Sequence, residues 1–91
     1  MTWIRHDTDE MIRLGPEAVL RVAGTDENGI GIWLYPTFES AFNDQECILL
    51  YTDDNDDAVN RVFDGVYTLL ERGANAIDID ALAKRVKGES L

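Results

Sequence analysis

The sequence holds only one cysteine, Cys47, and one histidine, His6. A lone cysteine cannot form an internal disulfide or a thiolate zinc site. A nucleophilic thiol would need an oriented base such as His6, and nothing in the sequence supports that pairing. The seven glycines do not form the G-x-x-x-x-G-K pattern of a phosphate loop, and no serine stands in a G-x-S-x-G elbow. We therefore expect no enzymatic activity, no cofactor and no bound metal.

Long apolar runs are also missing. The longest, Cys47–Tyr51, has five residues, whereas a helix needs about 20 apolar residues to cross a bilayer. A transmembrane helix is thus excluded. The N-terminus lacks the basic region and apolar stretch of a secretory signal, so we expect no signal peptide and a cytoplasmic location.

Positive charge is scarce, because 8 lysines and arginines stand against 18 acidic residues and the formal net charge is −10. An anionic surface is repelled by phosphate backbones and by anionic lipids. Direct nucleic-acid binding and membrane binding are therefore disfavoured. The charge favours a partner protein with a basic surface; the alternative is that it serves solubility alone.

The acidic residues are concentrated in the middle of the chain. Residues 37–72 carry 9 acidic and 2 basic side chains, against 6 and 3 in residues 1–36 and 3 and 3 in residues 73–91. The densest part, Asp53–Asp57, begins like a calcium loop, but it lacks the turn glycine, and its twelfth position is Asp64 rather than glutamate. The cluster serves to cap a helix, to bind a divalent cation weakly, or to face a partner. The carboxylates of such a partner-binding patch would be Asp53, Asp54, Asp56, Asp57 and Asp64.

Five segments in the first part of the chain have the composition of β-strands. They are Thr2–His6, Glu10–Leu14, Glu17–Ala23, Ile30–Tyr35 and Cys47–Tyr51. Asn28-Gly29 suits a type I′ turn, so the third and fourth segments should form a hairpin. In the fourth segment Trp33 and Tyr35 alternate with aliphatic residues, which places both on one face of the sheet. A helix covers only one face, so Trp33 and Tyr35 are candidates for contact with a partner or a second copy.

The segment from Thr37 to Glu46 has the composition of a loop of about ten residues, which is long for a hairpin connection. It contains Phe38 and Phe42 among polar residues. We expect both rings to tuck back onto the sheet. The alternative is a contact loop, in which Phe38 and Phe42 would touch a partner.

Two helices are expected after the strands. Apolar residues recur at helical spacing over about 54–72, and Gly73 is placed to stop that helix. A short helix should follow at about 80–87, with Asp80 as its N-cap and basic residues in its last turn.

These elements predict the α+β class. We expect an antiparallel sheet of four or five strands over about 2–52, with one long amphipathic helix on one face and a short C-terminal helix. The whole chain, residues 1–91, should form a single domain.

The arrangement resembles that of a broad set of small uncharacterised bacterial proteins in which a β-meander leads into a helix. The resemblance is carried by Trp3-Ile-Arg5, Met11-Ile-Arg-Leu14, Ile30–Tyr35, Cys47–Tyr51 and the helix after Asp57, and it covers residues 2–72 or so. It implies a β-meander with a helix on one face, and it implies no activity. In size, acidity and layout the chain is also similar to small acidic phage inhibitors that mimic DNA, including anti-CRISPR proteins.

The leading hypothesis is therefore a non-enzymatic interaction or regulatory domain. It would bind another protein through its acidic surface, with contact area from the aromatic sheet face or from the 37–46 segment. The alternative hypothesis is a nucleic-acid mimic that occupies the basic groove of a DNA- or RNA-binding protein. A homo-oligomer is compatible with either hypothesis.

Overall fold

The computed structural model describes residues 2–7, 10–25 and 29–89, and these residues form strands and helices of the α+β class. The strands are β1 (Thr2–Asp7), β2 (Glu10–Leu14), β3 (Val19–Gly24), β4 (Ile30–Tyr35), β5 (Ile48–Asp53) and β6 (Ala76–Asp78). The helices are α1 (Phe38–Asn43), α2 (Asp56–Glu71) and α3 (Ile79–Glu89). Asn28, in the expected hairpin turn, lies outside the described residues.

The strands form two sheets, so the expectation of four or five strands in one sheet was wrong. Sheet I has the order β2-β1-β6, and sheet II has the order β3-β4-β5. In sheet I, β1 pairs antiparallel with β2 and parallel with β6. The three residues of β6 are too few to show a strand period in the sequence. A turn, closed by a 3.2 Å hydrogen bond from the Ala18 N–H to the Gly15 carbonyl, separates the two sheets along the chain.

Helix α2 has a well-defined start and stop. At its start, the Asn55 side-chain oxygen accepts hydrogen bonds from the N–H groups of Asp57 and Ala58, at 3.0 and 3.4 Å. After its end, Gly73 takes a φ of 76°, and its N–H donates to the Leu70 carbonyl at 3.0 Å. Positive φ is the conformation that glycine adopts without a Cβ penalty. These local bonds fix the residues at which α2 begins and ends.

The other two helices differ from expectation. Helix α3 extends beyond the predicted 80–87, and the Ala81 N–H donates to Asp78 Oδ1 at 3.1 Å, so Asp78 rather than Asp80 caps its first turn. Helix α1 lies inside the segment that was expected to be a loop. Within the described part of the chain, no helix combines the length and the apolar character that crossing a bilayer requires.

One apolar core is shared by both sheets. Helix α2 packs across sheet II, while α3 packs on α2 and on β1, β5 and β6. Side chains with almost no exposed surface come from sheet I, sheet II and α2, and include Ile4, Ile77, Ile32, Val59 and Val62. Each sheet therefore turns its inner face toward α2 and α3, and its outer face away from them.

Helices α2 and α3 approach closely at Gly65. A Cβ atom at this position would lie 3.0 Å from Leu82 Cδ1. A glycine in mid-helix costs roughly 0.5–1 kcal/mol relative to alanine. The close approach to Leu82 explains why glycine is present here, since a larger side chain would crowd Leu82.

Candidate protein-binding surface

Helix α1 presents two phenylalanines to solvent. Phe38 is 64% exposed and Phe42 is 89% exposed, and the two lie one helical turn apart. The expectation that both rings tuck onto the sheet was therefore wrong. Glu39 and Glu46 line one polar cleft of about 190 Å³ beside the same helix. We call Phe38, Glu39, Phe42 and Glu46 the α1 patch.

Helix α1 has only six residues, and a helix of that length is not stable in isolation. Its first turn is closed by a reciprocal capping box: the Ser40 N–H donates to Thr37 Oγ1 and the Thr37 N–H donates to Ser40 Oγ, both at 3.1 Å. Its end is closed by Asp44, which has a φ of 54° and whose N–H donates to the carbonyls of Ala41 and Ser40. Local bonds thus satisfy both termini of α1.

Tertiary contacts hold α1 against the outer face of sheet II. The Tyr35 hydroxyl donates to Asp44 Oδ1 at 2.6 Å. The Arg21 guanidinium stacks over the Tyr35 ring, 4.9 Å from its centroid, and its Nη2 donates to the Ala41 carbonyl at 3.5 Å. The bond to Asp44, together with burial of the hydroxyl, raises the pKa of Tyr35. Tyr35 is buried, so it positions α1 and does not itself present a contact surface.

Trp33 lies on the same outer face of sheet II and is half-buried. It stands opposite Arg21 of β3 and Leu49 of β5. Ile32 and Leu34 belong to the core with α2, so the aliphatic face of β4 is the one that meets the long helix. Of the two aromatic candidates on β4, only Trp33 keeps partial access to solvent.

Asp53 points inward, unlike the rest of the acidic cluster. Its side chain is only 14% exposed. Asp53 Oδ2 accepts a 2.8 Å hydrogen bond from the Tyr51 hydroxyl and an ion-paired hydrogen bond from Lys87 Nζ, while Oδ1 accepts from the Asn55 N–H at 3.0 Å. The bond from Lys87, followed by those from Asn55 and Tyr51, lowers the pKa of Asp53 to about 2. Burial, followed by the bond to Asp53, raises the pKa of Tyr51 to about 12.

An irregularity in strand pairing explains this inward direction. Ile32 stands opposite Tyr51, whereas Trp33 stands opposite Leu49, so Leu50 is an extra residue in β5. An inserted residue shifts the alternation of side chains that follow it. Tyr51 thereby joins the edge of the core, and Asp53 comes within reach of α3.

The other four acidic candidates are exposed: Asp54, Asp56, Asp57 and Asp64. Asp57 Oδ2 lies 3.0 Å from Nε of Arg61. Asp64 lines a cleft of about 370 Å³ between α2 and α3 together with Arg61 and Arg85. Arg61 on α2 and Arg85 on α3 therefore interrupt the acidic surface around Asp57 and Asp64.

The outer face of sheet I was not singled out by sequence reasoning. Trp3 and Met11 are 42% and 55% exposed, and Arg5 and Arg13 on the same two strands are exposed as well. We call these four residues the sheet I outer face. The sequence carried a signal, because Trp3 and Arg5, and likewise Met11 and Arg13, are two residues apart and so share one face of a strand. Only the observed pairing shows that the helices leave this face uncovered.

The described residues contain no group of three or more histidine, cysteine or acidic side chains that could hold a metal ion. His6 Nε2 lies 3.6 Å from Glu10 Oε2, and Cys47 is a half-buried free thiol. An apolar cleft of about 230 Å³ lies beside α2, between Leu20 and Tyr67. Apart from the Tyr67 hydroxyl, its lining side chains are hydrocarbon, so the cleft offers little chemistry for catalysis.

Two exposed surfaces carry aromatic side chains: the α1 patch, which includes two glutamates, and the sheet I outer face, which includes two arginines. Comparison with known proteins finds no matching family model, no matching curated protein and no matching solved structure.

Proposed function

We propose that this chain is a non-enzymatic interaction or regulatory domain that binds another protein through the α1 patch. The partner surface would be basic, with an apolar recess for two aromatic rings. The observation that carries the proposal is the exposure of Phe38 and Phe42 on a helix whose ends are both capped. An exposed aromatic pair has no role in the core, and exposed apolar surface of this kind is typical of an interface.

The α1 patch has the composition of a binding hot spot. Burying each phenylalanine against a partner contributes roughly 1.5–3 kcal/mol, and aromatic anchors dominate many protein interfaces. The Tyr35–Asp44 bond and the Arg21 contacts hold α1 in place before binding. Preorganisation of this kind reduces the entropy lost when a complex forms.

Charge supplies the second part of the proposal. The net charge is −10, and Glu39 and Glu46 are exposed in the same segment as the two rings. A basic partner would be steered toward the patch over long distances, and the association rate would fall as salt rises. The same charge opposes direct binding to nucleic acids and to anionic membranes.

The nucleic-acid mimic remains the alternative, but the observed surface supports it less. A mimic needs an unbroken row of anionic groups at phosphate-like spacing. On α2, Arg61 lies between Asp57 and Asp64 and is ion-paired with the first of them, while Asp53 is used internally. The α1 patch also carries two rings, which have no counterpart on a phosphate backbone.

The proposal is tested by comparative capture. Immobilised wild-type chain and a Phe38→Ala/Phe42→Ala variant are exposed to extract of the cells that make the protein, and retained proteins are quantified by mass spectrometry. Tyr67→Ala is the matched control, since Tyr67 is also an exposed aromatic on a helix. We expect a partner that is retained by the wild type and by Tyr67→Ala and is lost from the double variant.

The binding of that partner should then be measured with purified components. If Phe38→Ala/Phe42→Ala retained it as well as the wild type, the α1 patch would not be the binding surface. If the partner were instead lost with Asp56→Lys/Asp57→Lys and displaced by duplex DNA, the mimic would replace the present proposal.

A further inference from the structure

The sheet I outer face has a composition opposite to that of the chain as a whole. Arg5 and Arg13 are two of only 8 basic residues in a chain with 18 acidic ones, and both are exposed on this face. Trp3 and Met11 beside them also keep about half of their surface in solvent. A basic and apolar patch thus stands on an acidic protein.

Strand pairing arranges the four side chains as a checkerboard. Trp3 of β1 stands opposite Arg13 of β2, and Arg5 stands opposite Met11. Residues directly opposite in antiparallel strands point to the same side of the sheet. Each arginine therefore has an apolar neighbour both along its own strand and across the strand pair.

Arg13 is the arginine of this face whose charge is available to a partner. Arg5 lies 3.7 Å from Asp78 on β6, whereas Arg13 forms no ion pair with any of the residues in the described ranges. A guanidinium beside an aromatic ring is a favourable docking point for a carboxylate that itself lies beside an apolar group.

The α1 patch offers both a carboxylate and apolar groups of this kind. It carries two exposed rings, and Glu39 and Glu46 are exposed in the same segment, whereas the sheet I outer face carries two arginines, a tryptophan and a methionine. We propose that a second copy of this chain docks its α1 patch onto the sheet I outer face. Phe38 and Phe42 would cover Trp3 and Met11, and Glu39 or Glu46 would pair with Arg13. This inference rests on the proposed function, since it uses the same α1 patch.

Charge complementarity favours a second copy over a phosphate-bearing ligand. A nucleic acid or an anionic membrane would have to approach a protein with a net charge of −10 through one small basic face. Two copies also repel each other at long range, but a Debye length of about 8 Å at physiological ionic strength leaves mainly the contacting charges in play. Measurements near that ionic strength are therefore the appropriate ones.

The proposed contact joins two different surfaces and so is heterologous. Such a contact produces rings or open chains rather than a closed symmetric pair. A variant that has lost one of the two surfaces should be monomeric by itself but should still bind a copy that keeps the missing surface. A symmetric interface, in which both copies use the same surface, would not show this behaviour.

Sedimentation equilibrium over a wide concentration range provides the measurement. We expect the average mass of the wild type to rise with concentration. Lys84→Glu is the control and should behave in the same way, because Lys84 is exposed on α3, which packs on the inner side of sheet I. Arg13→Glu alone and Phe38→Ala/Phe42→Ala alone should stay monomeric. Their equimolar mixture should form dimers and nothing larger, since each variant keeps the surface that the other lacks.

A wild type that stays monomeric to millimolar concentration would overturn the inference, as would an Arg13→Glu variant that associates like the wild type or a mixture that stays monomeric. Circular dichroism of each variant verifies that its fold is intact. The proposed function is tested separately from self-association. A partner that is captured by Arg13→Glu and lost from Phe38→Ala/Phe42→Ala supports the proposed function even if the wild type is monomeric.

Discussion

The ammonium group of Lys87, near the end of α3, donates a hydrogen bond to the carboxylate of Asp53, at the end of β5. The same carboxylate accepts bonds from the Tyr51 hydroxyl and from the Asn55 N–H. One acidic side chain thus links the C-terminal helix, a strand of sheet II and the residue that caps α2. This role is structural and differs from the partner-facing one that the acidic cluster suggested.

Asp53→Asn should lower the free energy of unfolding by about 1–3 kcal/mol, because it removes a charged acceptor from a largely buried site with three donors. Urea unfolding with an unchanged m-value checks this. Asp54→Asn is the matched control, since the neighbouring side chain is exposed and its change should stay within about 0.5 kcal/mol. Equal losses in the two variants would refute the linking role of Asp53.

Acid should remove the contribution of Asp53 to the free energy of unfolding over a defined pH range. Its pKa is lowered from 3.8 to about 2, so between these values the unfolded chain binds a proton that the folded chain does not. The stabilisation is complete above the ordinary pKa and is lost as the pH falls toward about 2. Over this interval the stability of the wild type should fall more steeply with decreasing pH than that of Asp53→Asn; parallel curves would contradict the assignment.

The donors to Asp53 should contribute unequally to its pKa. Lys87 is the largest cause of the lowered value, whereas the bond from Tyr51 is a smaller one. Lys87→Met should therefore raise the pKa of the Asp53 carboxyl more than Tyr51→Phe does. Carbon-detected NMR titration of the carboxyl group gives both values, and the reverse order would show that the ion pair is secondary.

Loss of the Tyr35 hydroxyl should loosen α1 without disturbing α2. Tyr35→Phe removes the 2.6 Å bond to Asp44, at a cost of about 1 kcal/mol. Hydrogen exchange should become faster at the amides that close α1, those of Ala41 and Asp44. Tyr67→Phe serves as the control, because Tyr67 is exposed on α2. Unchanged protection of α1 in Tyr35→Phe would mean that local capping alone holds this helix.

Gly65→Ala tests the close approach of α2 and α3. The new methyl group would crowd Leu82 at a cost of about 1–3 kcal/mol, which exceeds the gain of up to about 1 kcal/mol in helix propensity. We expect a net loss of stability, restored in part by adding Leu82→Ala. Gly88→Ala, where a Cβ meets nothing within 4 Å, should be neutral or stabilising. Similar thermal shifts in both alanine variants would show that Leu82 yields freely.

Phe38 and Phe42 illustrate why part of the surface could not be predicted. Their spacing, and the capping pair formed by Thr37 and Ser40, are compatible with a helix, but six residues are too few for local preference to decide between helix and loop. The Tyr35–Asp44 bond and the Arg21 contact decide it, and both come from residues outside α1. The direction of the two rings follows from that docking.

Asp53 illustrates a second limit. The alternation rule treats a strand as regular, whereas the extra Leu50 in β5 changes which side chains point inward. No residue in the segment marks this irregularity, because it arises from pairing with β4. The fate of the carboxylate therefore depended on a neighbouring strand and on Lys87 from the last helix.

The α+β class and the acidic surface were determined by the sequence alone. Both depend on composition and on apolar periods that act over a few residues, and such local preferences need no knowledge of distant contacts. The division into two sheets, the inward turn of Asp53 and the outward turn of Phe38 and Phe42 were decided only by the tertiary structure. These features depend on pairing between distant parts of the chain, such as β1 with β6, and a linear pattern does not encode which distant segments meet.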